Sequence, residues 1–286
     1  MEKIIVTGAN GQLGNCIKKI SEKYSWEYDF VFLDSKELDI TDESSIEESF
    51  SDHKPTYLIN AAAYTAVDLA ESNEEKAYQV NTYGVENLAV ACKKYDATLI
   101  HVSTDYVFDG ESGISYTEDN FTNPQGIYGA SKLKGEELAL EANPKTIIIR
   151  TSWLYSEFNK NFVKTMLNLF SQKEEIGVVG DQFGQPTNAN DLAEAIIKII
   201  SSDKKKYGVY HFSNYPETTW WEFASKIAEF SNSSIKINKL STEQYPTAAK
   251  RPQRSTMDNT KIQEDYDIEG IHWEHSLEEC ISLLKN

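Results

Sequence analysis

Lys3-Ile4-Ile5-Val6-Thr7-Gly8-Ala9-Asn10-Gly11-Gln12-Leu13-Gly14 places an apolar strand, a glycine-rich turn and the opening of a helix in one short run. Gly8, Gly11 and Gly14 follow a G-x-x-G-x-x-G spacing, and that spacing has physical uses. It allows a tight turn, close approach of backbone to a pyrophosphate and close packing of helix on strand, while the helix's N-terminal amides face the phosphates. A plain strand-to-helix turn is the competing reading. The apolar strand before the glycines and the helical pattern over 12–21 favour a dinucleotide-binding loop.

The same alternation runs outward from this unit. Residues 29–34 read as a second strand, 43–50 as a helix and, after Pro55, 56–60 as a third strand. A helical stretch at 74–95 precedes the apolar strand 97–102, and an irregular segment then leads to a helix at 128–140 and a strand at 146–150. Repeated units of this length imply parallel strands with right-handed crossovers and helices on both faces. The expected class is α/β, a Rossmann-like doubly wound parallel sheet. Beyond residue 151 the rhythm loosens, with helical patterns at 161–170, 191–200, 219–230 and 275–284 and short strands near 176–179 and 209–212. The expected division is a dinucleotide-binding domain over 1–150 and a smaller, mainly substrate-binding lobe over 151–286, with elements returning to the first.

At 286 residues and 40% hydrophobic, the chain can bury a large core. Its 45 acidic and 28 basic residues give a formal charge of −17, which opposes nucleic acids and anionic membranes. Any anionic ligand must be met by local positive charge. Arg150, Arg251 and Arg254 are the three arginines, and two of them fall in Lys250-Arg251-Pro252-Gln253-Arg254, a candidate anion clamp whose alternative is a solvated loop. Cys16, Cys92 and Cys280 are odd in number and widely spaced, so neither a disulfide framework nor a zinc site is indicated. The histidines are scattered, and no metal is expected. The opening residues run straight into an apolar strand and no segment approaches a membrane span, so the expected location is the cytoplasm.

Tyr128-Gly129-Ala130-Ser131-Lys132 carries the chemistry. A spacing of four sets phenol and ammonium on one helical face, where the ammonium is expected to lower the phenol's pKa and let it exchange a proton near neutrality. Beside a dinucleotide loop, the pair points to nicotinamide hydride chemistry. Asp34 ends the second strand, where a carboxylate suits the adenosine ribose, and Lys36 offers a cation to a 2′-phosphate, so NADH and NADPH both stay open. Small residues at Ala61, Ala62 and Ala63 let a flat cofactor approach the backbone or pack against a helix. Val102-Ser103-Thr104-Asp105-Tyr106-Val107-Phe108 brings hydroxyls to the sheet's carboxyl edge.

With these blocks, residues 60–68 (Asn-Ala-Ala-Ala-Tyr-Thr-Ala-Val-Asp), Glu71-Ser72, Asn81, Arg150-Thr151-Ser152-Trp153, residues 181–187 (Asp-Gln-Phe-Gly-Gln-Pro-Thr) and Arg251-Pro252 complete a pattern. Over nearly its whole length the chain resembles the extended short-chain dehydrogenase/reductase superfamily, and within it the dTDP-4-dehydrorhamnose reductase family. The resemblance implies reduction, by NADPH or NADH, of the C4 keto group of a dTDP-4-keto-6-deoxy sugar, dTDP-4-dehydro-L-rhamnose, to dTDP-L-rhamnose. Tyr128 would donate the proton, Lys132 would hold the nicotinamide ribose, and Thr104 would hydrogen-bond the reacting oxygen. Gly8, Gly11, Gln12, Leu13, Gly14, Asp34, Asp39, Ile40, Ala62, Ala63, Tyr64 and Thr65 would join Tyr128 and Lys132 around the cofactor. Ser103, Thr104, Asp105, Tyr106, Trp153 and Arg251 would meet the substrate.

Thr104 stands where many relatives carry serine, and both supply a hydroxyl. Family members differ in whether they dimerise, so the resemblance allows a homodimer without requiring one. The rivals on the same fold are a nucleotide-sugar 4-epimerase, a 4,6-dehydratase or a related 4-keto-6-deoxysugar reductase. Dehydratases commonly carry Asp-Glu after the threonine, whereas Tyr106 follows Thr104-Asp105 here. A non-catalytic regulatory subunit, like that of methionine adenosyltransferase, is the alternative from another class. Intact Thr104, Tyr128 and Lys132 favour an enzyme.

Overall fold

Apolar runs bounded by turns and helices form β1 (Glu2–Thr7), β2 (Tyr28–Leu33), β3 (Tyr57–Asn60), β4 (Thr98–Thr104) and β5 (Thr146–Thr151). In the computed structural model, which describes residues 1–285, these strands join a sixth, Gly208–His211, in one parallel sheet. The order is Gly208–His211, β5, β4, β3, β1, β2. From β1 the chain steps outward to β2 on one side and then to β3 on the other. That reversal opens a crevice at the carboxyl ends of the strands.

Strand alternation divides the core into two layers. Ile4 and Val6 pack in one cluster with Leu13, Ile17 and Ile196, while Ile5 packs in the other with Phe50, Leu88 and Ala139. Helices Gln12–Ser21 and Ala189–Ser201 cover the first face; Glu43–His53, Gly84–Lys94 and Ile127–Ala142 cover the second. The chain therefore forms the doubly wound α/β sheet that the alternation of its elements predicts.

The stretch expected as one helix over 74–95 is instead three pieces, Glu74–Tyr78, a π-helical turn Gln79–Tyr83 and Gly84–Lys94. Asn81, buried in the wide turn, is bonded outside its own helix. Its Nδ2 donates to Tyr64 O at 3.0 Å and Ser131 Oγ at 3.1 Å, and its Oδ1 accepts from Tyr64 N at 2.9 Å. These bonds offset the cost of the irregular turn.

Three segments beyond residue 151 belong to the sheet layer: the strand Gly208–His211 pairs with β5, Ala189–Ser201 packs on Gln12–Ser21, and helix Thr260–Tyr266 sets Ile262 and Tyr266 in the same cluster. The rest forms a lobe, with a parallel ribbon of Glu175–Val179 and Lys236–Leu240 beside helices Phe162–Phe170, Trp220–Ser231 and Trp273–Lys285. Phe223, Ile227 and Leu277 are fully buried at its centre.

Candidate active site

Gly8 has φ +64°, and a Cβ there would lie 2.7 Å from Ala62 N; at Gly14 it would lie 2.4 Å from the Gly8 carbonyl oxygen. Neither position accepts a larger residue without moving backbone. Gly11 stands at the N-cap of Gln12–Ser21 and makes no side-chain cap bond, so the first amides of that helix stay open to an anion.

A cleft of about 920 Å³ runs from this turn to the lobe. The turn contributes Gly11, Gln12 and Leu13, and the segment after β3 contributes Ala62, Ala63 and Thr65. Ser103, Thr104, Asp105 and Tyr106 come from the end of β4, Tyr128 and Lys132 from Ile127–Ala142, and Trp153 and Arg251 from farther along the chain. Gly8, Gly14, Asp34, Asp39, Ile40 and Tyr64 lie outside the lining. Asp34 stands beside the glycine turn, where it accepts from Asn10 Nδ2 at 2.9 Å. Asp39 is committed to Thr41, whose backbone N–H and hydroxyl hold its carboxyl below the usual range. Ile40 packs over Gly84, and the Tyr64 backbone is clamped by Asn81.

Tyr128 and Lys132 share a helical face, but their partners differ from expectation. Lys132 Nζ donates to Val102 O at 2.6 Å and meets His101 Nε2 at 3.1 Å. Burial pulls the lysine's pKa down to about 8, with Glu136 opposing. Burial pushes the Tyr128 phenol upward, the Thr104 hydroxyl pulls it back, and Asp105 and Tyr106 add to the rise. The expectation of a phenol lowered by its lysine is thus corrected. The amine is turned onto the sheet, and desolvation governs the tyrosine.

Thr104 Oγ1 donates to Asp105 Oδ1 at 2.9 Å and accepts from Tyr106 N at 3.2 Å. Burial pushes the Asp105 carboxyl up to about 6, while the Ser255 and Thr104 hydroxyls pull it back. The Tyr106 ring meets Tyr128 edge-on, with centroids 5.6 Å apart, and its hydroxyl accepts from Arg251 Nη1 at 3.0 Å. Arg251 Nη2 also lies 2.5 Å from Asp68, so its charge is already partly neutralised.

Ser103 is engaged inward, donating to Glu136, which also grips Arg150 with both oxygens. Trp153 stacks on Trp220 at 3.5 Å and 8°, and a Cβ on Gly184 would lie 2.4 Å from its ring. Sequence reasoning missed the roles of His101, Glu136, Asp68 and Trp220. Only Glu136 carried a local signal, lying one helical turn beyond Lys132. Among the described residues, no group of three or more His, Cys, Asp or Glu could hold a metal ion, and no helix is long and apolar enough to cross a membrane.

A glycine turn at the switch point of a parallel sheet, with a Tyr/Lys pair and a threonine hydroxyl at its carboxyl edge, defines an oxidoreductase of the short-chain dehydrogenase/reductase type. The profile of the family described as RmlD substrate binding domain matches residues 1–286, and the chain belongs to that family. A dTDP-4-dehydrorhamnose reductase from Aggregatibacter actinomycetemcomitans is 42% identical over 289 residues, covering 97% of each chain. The crystal structure of a dTDP-4-dehydrorhamnose reductase from Clostridium acetobutylicum is 40% identical, with a TM-score of 0.95 over 99% of this chain and 100% of that one. Its counterpart from Bacillus anthracis, solved in complex with NADP, is 41% identical, with a TM-score of 0.95 over 99% of both chains.

Proposed function

We propose that this chain reduces the C4 keto group of dTDP-4-dehydro-L-rhamnose to dTDP-L-rhamnose, using NADPH or NADH, with Tyr128 as proton donor. The observation that carries this reading is the Tyr128 phenol, kept protonated by burial beside Thr104, in the cleft that begins at the glycine turn. The names of the relatives, and the NADP of the Bacillus anthracis enzyme, support it. The residues also fit a nicotinamide dinucleotide. The open amides after Gly11 suit a pyrophosphate, Asp34 a ribose, Lys36 a 2′-phosphate and Lys132 the nicotinamide ribose.

When bound, a reduced nicotinamide supplies the hydride to C4. Thr104 turns its hydroxyl from Asp105 to the carbonyl oxygen, and Tyr128 delivers its phenolic proton as negative charge builds there. Asp105, on the cleft wall, accepts from a sugar hydroxyl, and the Trp153–Trp220 stack offers an apolar wall to the deoxysugar. In this reading residues 1–150 mainly bind the cofactor and 151–286 mainly the sugar nucleotide, in a cytoplasmic enzyme.

Incubation with dTDP-4-dehydro-L-rhamnose and each cofactor tests the proposal. One reduced cofactor should be consumed per product, with L-rhamno stereochemistry read by NMR. An epimerase would consume none, and a protein that oxidises neither cofactor with any 4-keto nucleotide sugar would refute the reading.

Arg251→Ala should raise the KM for the dTDP-sugar about ten- to two-hundred-fold, because truncating a charged hydrogen bond costs about 1.5–3 kcal/mol. The KM for NADPH and kcat should change less. Initial-rate kinetics with each substrate varied separate these effects. An unchanged sugar KM would leave Arg251 with only its contacts to Asp68 and Tyr106.

A further inference from the structure

His101, on β4, is wholly buried and belongs to a continuous hydrogen-bonded path beneath Lys132. Thr7 Oγ1 donates to Asn60 Oδ1 at 2.7 Å, and Ala62 N donates to the same oxygen at 3.1 Å. Asn60 Nδ2 lies 3.0 Å from His101 Nδ1, and His101 Nε2 lies 3.1 Å from Lys132 Nζ. The hydrogens follow from this network. Two donors fix Asn60 Oδ1 as an acceptor, so Nδ2 faces the imidazole and His101 Nδ1 accepts. A neutral imidazole then carries its single hydrogen on Nε2, aimed at Lys132 Nζ. Two donors cannot share that contact. The contact is therefore satisfied only by the neutral form of docked Lys132, which accepts from His101 and donates to Val102 O.

The surrounding charges permit this. Glu136, one turn along the helix, is committed to Arg150 of β5 at 2.7 Å and to Ser103 of β4. Tyr128 lies one turn back on the same helix, Asp105 beyond Thr104, and β3 and β1 bring only the neutral Asn60 and Thr7. Burial lowers Lys132 to about 8 and His101 well below its ordinary value.

We propose that His101 is a positioning residue for Lys132, holding its neutral amine on the sheet so that this form leaves for the nicotinamide ribose only on taking a proton from solvent. The inference rests on the Lys132–ribose contact of the proposed function. The sign is definite: the protonated lysine binds the cofactor, so binding takes up a proton above the pKa of the docked amine and none well below it. Cofactor affinity then falls with rising pH over the same window, by up to about tenfold per pH unit.

Calorimetric titration of the full-length enzyme with NADPH, in buffers of different ionisation enthalpy, counts the protons. Uptake should be small at pH 7 and approach about one proton per site at pH 9. His101→Gln supplies an amide oxygen that accepts from an ammonium, so uptake at pH 9 should be lost and the pH dependence of Kd should flatten. Absence of uptake by the wild type, or equal uptake in His101→Gln, overturns the proposal. Should that variant not fold, imidazole ¹⁵N shifts of the wild type decide: a bare Nδ1 with Nε2–H supports it, and Nδ1–H or a doubly protonated ring overturns it. Lys132→Met separates the two readings. Unchanged NADPH affinity in that variant removes the ribose contact, whereas weakened affinity together with no wild-type uptake removes only the role of His101.

Discussion

Tyr128→Phe is expected to lower kcat by roughly 10²–10⁴-fold while leaving NADPH affinity largely intact. The substitution removes one hydroxyl and keeps the ring that meets Tyr106 edge-on, so the fold and the cleft wall should persist. What is lost is the transferable proton. Burial holds that proton on the oxygen, and without it the emerging alkoxide keeps as a donor only the Thr104 hydroxyl once it turns from Asp105. Steady-state rates combined with a fluorescence titration of NADPH separate the two effects. Wild-type kcat in the variant would remove Tyr128 from the proton transfer.

Glu136→Ala is expected to destabilise the fold by about 3–5 kcal/mol, the cost of stranding one member of a buried ion pair. Arg150 and Glu136 side chains are 5% and 2% exposed, and the carboxylate meets Arg150 Nη2 at 2.7 Å and Nε at 3.1 Å. Arg150 Nη1 has no hydrogen-bond partner among the described residues, and its guanidinium carbon sits 5.2 Å from the centroid of the Phe108 ring. Ser103 would also lose its acceptor. Urea denaturation of the purified variant measures the loss. The double variant Arg150→Met/Glu136→Leu should recover much of it, since two apolar side chains leave no uncompensated charge. A loss below about 1 kcal/mol in Glu136→Ala would show that water reaches and compensates the arginine.

The two variants also separate what was legible in the chain from what was not. Tyr128 stands out in the sequence because a spacing of four on a helix is a local geometric fact. Glu136 lies at the next such spacing, yet its partners Ser103 and Arg150 come from two different strands, and nothing near it along the chain names them. The π-helical turn at Gln79–Tyr83 escaped for a similar reason. Its wide turn is held by bonds from Asn81 to Tyr64 and Ser131, both outside that helix.

By itself the sequence determined the alternation of strand and helix, the glycine turn, and the presence of a phenol and an amine on one helical face. Those features depend on backbone conformation and burial periodicity, which neighbouring residues encode. Tertiary structure alone decided where the charged groups spend their hydrogen bonds. Lys132 turns to His101, 31 residues away, and Arg251 to Asp68, 183 residues away. Trp153 takes its position from Trp220, and the strand Gly208–His211 joins the sheet at β5. Such pairings depend on which distant segments the packed layers bring within about 3 Å, and the direction of a donor toward its acceptor exists only once those segments have met.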